Sequence, residues 1–264
     1  MTAIPMPQAM AGRLPVLSLL SPGTHLRATL LNLVAGLVIA GIAVAVTGWP
    51  WWVFNAIVLA TLLPVGIGKW REEKHRLGVV IMLLSILLTA QGVHSIEHLV
   101  QWVQYHIIGL TPRQSNGLVS AANAEWVHFV WNWSVLIMVI ALMRGGMRNP
   151  LAWLLLAVAG LHAVEHTYTT IQHVQVLNEL RALGVTDVTA QGLPGIVGRD
   201  GWLARSPWTQ GTIFCTLPGL TTEVRLDVHF WWNMLETGLL LAAGNVFLAA
   251  RAPRVPNDGH GPNG

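Results

Sequence analysis

Long apolar runs separated by short polar segments set the pattern of this chain. Six of the runs have about the 20 residues that an α-helix needs to cross the hydrocarbon core of a membrane. The pattern therefore predicts an all-α integral membrane protein with six transmembrane helices. The predicted helices cover residues 27–47, 51–69, 77–108, 122–144, 150–179 and 226–250.

The predicted helices divide a single membrane domain, residues 1–264, into three parts. A peripheral helix pair covers residues 26–70, and two further units cover residues 77–146 and 150–250. The second of these units contains a loop, residues 180–225, that is rich in Gly and Pro. Loops of this length in compact proteins commonly act as lids or docking surfaces. We therefore expect partner subunits to dock at this loop.

The composition agrees with a membrane protein. Apolar residues make up 53% of the 264 residues and charged residues only 10%, against roughly 25% charged residues in a soluble domain. These values exclude a disordered chain, a nucleic-acid-binding module and an ordinary soluble enzyme, and they make the lipid bilayer the expected surroundings. Cys215 is the only cysteine, which excludes an intrachain disulfide and a thiolate metal cage.

Lys and Arg predict the orientation of the helices. Basic residues concentrate in the segments 1–27, 69–76, 144–149 and 251–264, and they are sparse in the longer segments between the other helix ends. By the positive-inside rule, the basic segments are cytoplasmic. Both termini are therefore predicted to be cytoplasmic, in a bacterial cytoplasmic membrane, and the loop 180–225 is predicted to be extracytoplasmic.

A pattern of histidines and acidic residues occurs twice. The motif GVHSIEH surrounds His94 in the third predicted helix, and GLHAVEH surrounds His162 in the fifth. The motif VHFVWN opens the fourth helix around His128, and VHFWWN opens the sixth around His229. The order is the same both times, which predicts one helical hairpin used twice. We expect the last four helices to form a four-helix bundle with a pseudo-two-fold axis along the membrane normal.

The spacing within these motifs predicts a metal site. Positions i, i+3 and i+4 share a helix face, so the two His and the Glu of each HxxEH motif point the same way. The helical rise places all of the motifs in the outer half of the membrane, where ionisable side chains usually face the bundle interior. The predicted metal ligands are His94, Glu97, His98, His128, His162, Glu165, His166 and His229.

The predicted ligand set suits two transition-metal ions, each bound by about three imidazoles and a carboxylate. Iron, copper and zinc all accept imidazole, and the outer position slightly favours copper or zinc. One alternative cofactor is haem b, with His pairs from facing helices as axial ligands. Another alternative is a polar helix-packing network or a proton path without any cofactor.

A dinuclear metal site in an apolar bundle predicts that the protein is an oxidoreductase of the oxygenase or hydroxylase type. Its substrate would be a lipophilic or small apolar molecule that enters from the lipid. Glu236 follows His229 by seven residues on the same face and is the candidate catalytic residue, as a proton donor, whereas the matching position in the first unit is Val135. The alternatives for Glu236 are an extra metal ligand and a buried acid without a catalytic role. The alternatives for the protein as a whole are a haem electron-transfer subunit, a metal or proton transporter, and an accessory subunit of a membrane complex.

The HxxEH motif resembles the inverzincin signature of zinc peptidases, in which the two His bind zinc and the Glu is the general base. Those enzymes are soluble and carry the motif once, whereas here it occurs twice within apolar helices. The arrangement is also loosely similar to that of the membrane desaturases and hydroxylases, which hold two irons with many histidines on helices. Neither resemblance is close enough to assign residue roles.

Overall fold

The computed structural model of the protein describes residues 14–119, 124–185 and 193–251. Every regular element in these ranges is a helix. The α-helices are α1 (Pro15–Ser18), α2 (Leu26–Thr47), α3 (Trp51–Leu77), α4 (Val79–His106), α5 (Glu125–Arg144), α6 (Pro150–Ala182), α7 (Trp202–Arg205) and α8 (Arg225–Ala249). Two short 3₁₀ helices cover Gly23–His25 and Ile213–Thr216.

The long helices lie where the apolar runs predict them, with one clear difference. Helix α3 continues to Leu77, through residues that the hydropathy pattern places in a cytoplasmic loop. Two ion pairs between residues four apart support this extension. Lys69 Nζ lies 2.6 Å from Glu73 Oε1, and Arg76 Nη1 lies 2.7 Å from Glu72 Oε1. Such pairs stabilise a helix outside an apolar environment.

Among the described residues, four helical segments are long and apolar enough to span a membrane: Pro15–Thr47, which joins α1 to α2, and α3, α4 and α5. The surface of α2 is consistent with a membrane span, because large apolar side chains such as Leu31, Ile42 and Val46 are exposed along it. A contiguous apolar surface of this kind is a mark of contact with a membrane or with another protein. Helices α6 and α8 are also long, but they carry more polar residues.

Helices α4, α5, α6 and α8 pack around a common core. Helix α6 packs closely against α5 and α8, and α8 packs closely against α4, whereas α4 and α5 contact each other less. Helix α3 packs on the outside of α4, and α2 packs on α3. The core is filled with apolar side chains that include Leu84, Leu87, Val139, Leu142, Leu155, Ala243 and Leu248.

The short apolar segment before α2 packs into this core. Val16 and Leu19 are buried, and α1 contacts α8 close to Gly244. Lys69 fixes the segment, because its ammonium group donates to the Leu19 carbonyl at 2.7 Å and to Ser85 Oγ at 2.8 Å. The chain before α2 therefore closes one end of the helical bundle.

Candidate metal centre

The structure brings six of the predicted ligands together in two groups of three histidines. The first group consists of His94 and His98 from α4 and His128 from α5, and the second consists of His162 and His166 from α6 and His229 from α8. In each group, one ring nitrogen from every residue lies within 4.8 Å of the others, so each group can hold a metal ion. The pair on α4 and the pair on α6 each owe their shared face to the four-residue spacing.

The first group has a spacing that suits one bound ion. His94 Nε2 and His98 Nε2 face each other at 3.3 Å. Two nitrogens bound to one tetrahedral ion at about 2.0–2.1 Å would lie about 3.3–3.4 Å apart. The His94 ring packs on Trp131 with ring centroids 5.0 Å apart, and Trp131 Nε1 donates to Gln91 Oε1 at 3.3 Å. The Trp131 side chain thus holds the His94 ring in place.

The second group is more deeply buried. His162, His166 and His229 are only 0%, 1% and 7% exposed. Both ring nitrogens of His166 and the Nε2 of His162 are buried without a hydrogen-bond partner among the described residues. Because unpaired buried polar atoms cost free energy, such atoms are uncommon in native proteins. Unpaired nitrogens on both His162 and His166 leave lone pairs in the second group that a metal ion could accept.

The two groups adjoin each other in the middle of the four helices. The rings of His128 and His166 stack with centroids 5.1 Å apart and planes 13° apart. His98 and His229 approach across the same boundary, with ring centroids 6.4 Å apart. The six imidazoles therefore form one continuous cluster to which α4, α5, α6 and α8 all contribute.

Glu97 and Glu165, the other two predicted metal ligands, are not among the six histidines of the two groups. Glu165 Oε1 nevertheless lies 3.9 Å from His229 Nε2 and is buried without a hydrogen-bond partner among the described residues. The Glu97 carboxylate accepts hydrogen bonds from the backbone N–H groups of Leu118 and Val119 at 2.8 and 2.9 Å. The Glu165 carboxylate accepts from the N–H groups of Ile196 and Val197 at 2.8 and 3.3 Å. Each glutamate thus binds the loop that follows its own helix.

The loop segments that these glutamates bind are alike in sequence. One reads Gly117-Leu118-Val119 and the other reads Gly195-Ile196-Val197. A Cβ atom on either glycine would overlap the carboxylate of the glutamate beneath it. Gly117 also has a φ of 70°, which a residue with a side chain rarely adopts. The sequence analysis missed these segments, although a Gly-aliphatic-Val match after each HxxEH motif could have revealed them.

Glu236, the predicted catalytic residue, lies behind the second group. Its Oε2 is 3.0 Å from His162 Nδ1 and accepts from Gln91 Nε2 at 3.4 Å, whereas its Oε1 is buried without a partner among the described residues. With a proton on Nδ1, His162 keeps Nε2 free for an ion. Carboxylates that hold metal-binding histidines in this manner orient the ring and raise its basicity.

An ion pair that the sequence did not predict covers the second group. Arg225 Nη1 lies 3.1 Å from Glu125 Oε1 and donates to the Leu193 carbonyl at 2.6 Å. The Arg225 Nε is 3.4 Å from His229 Nε2. A second pair lies nearby, with His106 Nε2 2.6 Å from Asp227 Oδ1. Glu125 and Asp227 are expected in first helical turns. In the structure Glu125 also pairs with Arg225, and Asp227 is hydrogen-bonded to His106.

Comparison of the chain with protein-family models, with curated proteins and with solved structures gave no match. What the protein does must therefore be inferred from the arrangement of its own residues. The histidine cluster is the feature of that arrangement with the clearest chemistry. Its imidazole nitrogens converge, and three of them have no hydrogen-bond partner among the described residues, which suits them to bind transition metals.

Proposed function

We propose that the protein is an integral membrane metalloprotein with a dinuclear centre, in which each group of three histidines binds one ion. The observation that carries this proposal is the convergence of six imidazoles from four helices, with buried ring nitrogens left unpaired in the second group. The nearby carboxylates of Glu97, Glu165 and Glu236 supply negative charge that offsets the charge of the ions.

The donor set favours copper. Iron sites with histidine ligands commonly include a carboxylate, and both groups consist of imidazoles alone. Copper and zinc accept such ligands, and copper binds nitrogen ligands most tightly among the common divalent ions. Zinc has no redox chemistry, so of copper and zinc only copper could transfer electrons at this centre.

The reaction that suits this centre is the oxidation of a lipophilic or small apolar substrate by dioxygen. Two adjacent copper ions that each change by one electron can exchange an electron pair with one molecule. The apolar exposed surfaces of the spanning helices give a lipophilic substrate access from the membrane. Glu236 then acts by holding His162, and its second carboxylate oxygen is available to hold a proton.

We further propose that all six long helices cross the membrane, that both termini are cytoplasmic, and that the protein resides in a bacterial cytoplasmic membrane. Helices α6 and α8 have 33 and 25 residues, which is long enough to span. Their hydropathy is lowered in part by polar residues that are buried in the bundle, among them His162, His166 and Glu236. Burial removes these side chains from contact with lipid.

Matching contacts support the proposal that the α4–α5 and α6–α8 pairs are copies related by a pseudo-two-fold axis. His94 packs on Trp131 and His162 packs on Trp232, in both cases with ring centroids 5.0 Å apart. Glu97 and Glu165 bind matching loop segments. A pair of equivalent hairpins accounts for these agreements, which concern packing as well as sequence.

The ring packing favours metal ions over haem b. An axial pair of histidines must leave a flat slot between them for the porphyrin. The rings of His128 and His166 lie face to face at 5.1 Å, and every other contact between the six rings falls between 4.6 and 6.4 Å. The imidazoles themselves fill the space that a macrocycle would need.

Elemental analysis and an optical spectrum of the purified protein test this proposal. We expect two copper ions for each chain and the absence of a Soret band. His98→Ala and His166→Ala should each lose one ion, because each removes one of three ligands, whereas His75→Ala, at an exposed position in α3, should keep both. A Soret band, or an unchanged metal content in both ligand variants, would overturn the proposal.

A further inference from the structure

The two histidine groups differ in how far they are enclosed. All three histidines of the second group are buried, whereas His94 and His128 of the first group are partly exposed. Val93 and Val130, which neighbour the first group on α4 and α5, are 41% and 54% exposed. The surface beside the first group is therefore apolar. The surface beside the second group is apolar as well, since Leu161 and Trp231 at the matching positions are 62% and 64% exposed, so the two groups differ in the exposure of the histidines themselves.

Helix packing explains the difference in enclosure. The second group lies between α6 and α8, which pack closely, whereas the first lies between α4 and α5, which contact each other less. The loop above the second group also folds back on itself. Trp202 and Leu203 donate from their backbone to the carbonyls of Gly195 and Ile196, at 2.9 Å in both cases. Arg225 closes the same side through its ion pair with Glu125.

The two groups also differ in the charge behind them. Glu236 contacts His162 in the second group, while Val135 takes the matching position near the first and is buried in the apolar core. A carboxylate held against a metal-binding histidine strengthens the binding of a cation. Arg225 Nε lies 3.4 Å from His229 Nε2, but the charge of Arg225 is paired with Glu125. Enclosure and the Glu236 carboxylate therefore favour retention of an ion at the second group.

We propose that the two ions have unequal roles. The ion at His94, His98 and His128 meets the lipophilic substrate, which enters from the lipid through the seam between α4 and α5. The ion at His162, His166 and His229 is sealed in the bundle and stays bound. This inference rests on the proposed dinuclear centre and adds to it the side on which the substrate reacts.

The experiment measures the rate of metal release from the copper-loaded protein in lipid nanodiscs. Two chelators are compared: phenanthroline, which dissolves in lipid, and EDTA, which does not. We expect phenanthroline to remove one ion at least about tenfold faster than the other, since a carboxylate behind a ligand commonly changes metal affinity about 10- to 100-fold. EDTA should remove the fast ion more slowly than phenanthroline does.

Variants assign the two phases. His128→Ala should abolish the fast phase of metal release, which we assign to the first group. His229→Ala should abolish the slow phase, which we assign to the second group. Glu236→Gln should accelerate the slow phase about 10- to 100-fold and leave the fast phase unchanged, while Val135→Ala, at the matching position, should leave the slow phase unchanged.

The outcomes separate this inference from the proposed function. A chain that binds no metal contradicts the dinuclear centre itself. Two ions that leave at one rate, or a fast ion that EDTA removes as readily as phenanthroline, contradict only the unequal roles and the entry from lipid. The wild-type release curve decides this even if a variant does not fold.

Discussion

The α4–α5 pair and the α6–α8 pair place the same kinds of side chain in the same relations, yet their surroundings differ. Each pair supplies three histidines, a tryptophan that packs on the first of them, and a glutamate whose carboxylate binds the loop after its own helix. Only the α6–α8 pair adds Glu236, Arg225 and a closely packed helix interface. The comparison teaches that spacing along a helix sets which residues can converge on an ion, whereas the packing and charge behind them set how firmly each group would hold one.

The largest expected effect comes from His162, with its counterpart His94 as the matched comparison. His162→Ala should lower the free energy of unfolding by about 3–5 kcal/mol, because Glu236 is left as a buried charge without its partner. Among the described residues, His94 is not paired with an acidic side chain. His94→Ala should therefore lower the free energy of unfolding by only about 0.5–3 kcal/mol. Denaturation of both variants in detergent measures the difference. Equal losses would show that Glu236 does not distinguish the two groups.

An intermediate effect is expected at the two loop glycines. Gly117→Ala and Gly195→Ala should each destabilise the protein by about 1–3 kcal/mol, since the added Cβ overlaps a glutamate and the loop must shift. The matched controls are Gly92→Ala and Gly160→Ala, at helix positions where a Cβ meets open space. These controls should stabilise the protein by about 0.5–1 kcal/mol. Thermal unfolding curves of the four variants check the prediction, and neutral loop variants would refute the role of the glycines.

The smallest effects concern the ion pairs at the rim. Arg225→Gln should cost about 1–2 kcal/mol, because it leaves the buried Glu125 carboxylate without its charged partner. Asp227→Asn should cost less than about 1 kcal/mol, since its partner His106 is 37% exposed. Unfolding measurements in low and high salt test this order, and a larger loss for Asp227→Asn would reverse it.

Much of the helical architecture could be predicted because its causes are local. An apolar run of membrane length marks each long helix, and a four-residue spacing marks His94 with His98 and His162 with His166. The extension of α3 to Leu77 was missed because hydropathy alone was considered there. The ion pairs of Lys69 with Glu73 and of Glu72 with Arg76 are just as local and indicate a helix.

The partners of the acidic residues could not be predicted in the same way. Glu97 and Glu165 share a helix face with their histidines, so the spacing made them candidate ligands. Their carboxylates bind backbone N–H groups 21 to 32 residues further along the chain, and no periodicity in the helix encodes such a contact. The pairing of Arg225 with Glu125 spans 100 residues and likewise depends on the assembled bundle.

The stacked rings of His128 and His166 give the cluster one further property. An ion that fixes His128 would also restrict the ring of His166, which lies against it. Part of the conformational entropy that the second group loses on binding an ion would then already be lost. In the proposed dinuclear centre, release of the ion at the first group would therefore free the ring that stacks on His166 and loosen the ligands of the second group.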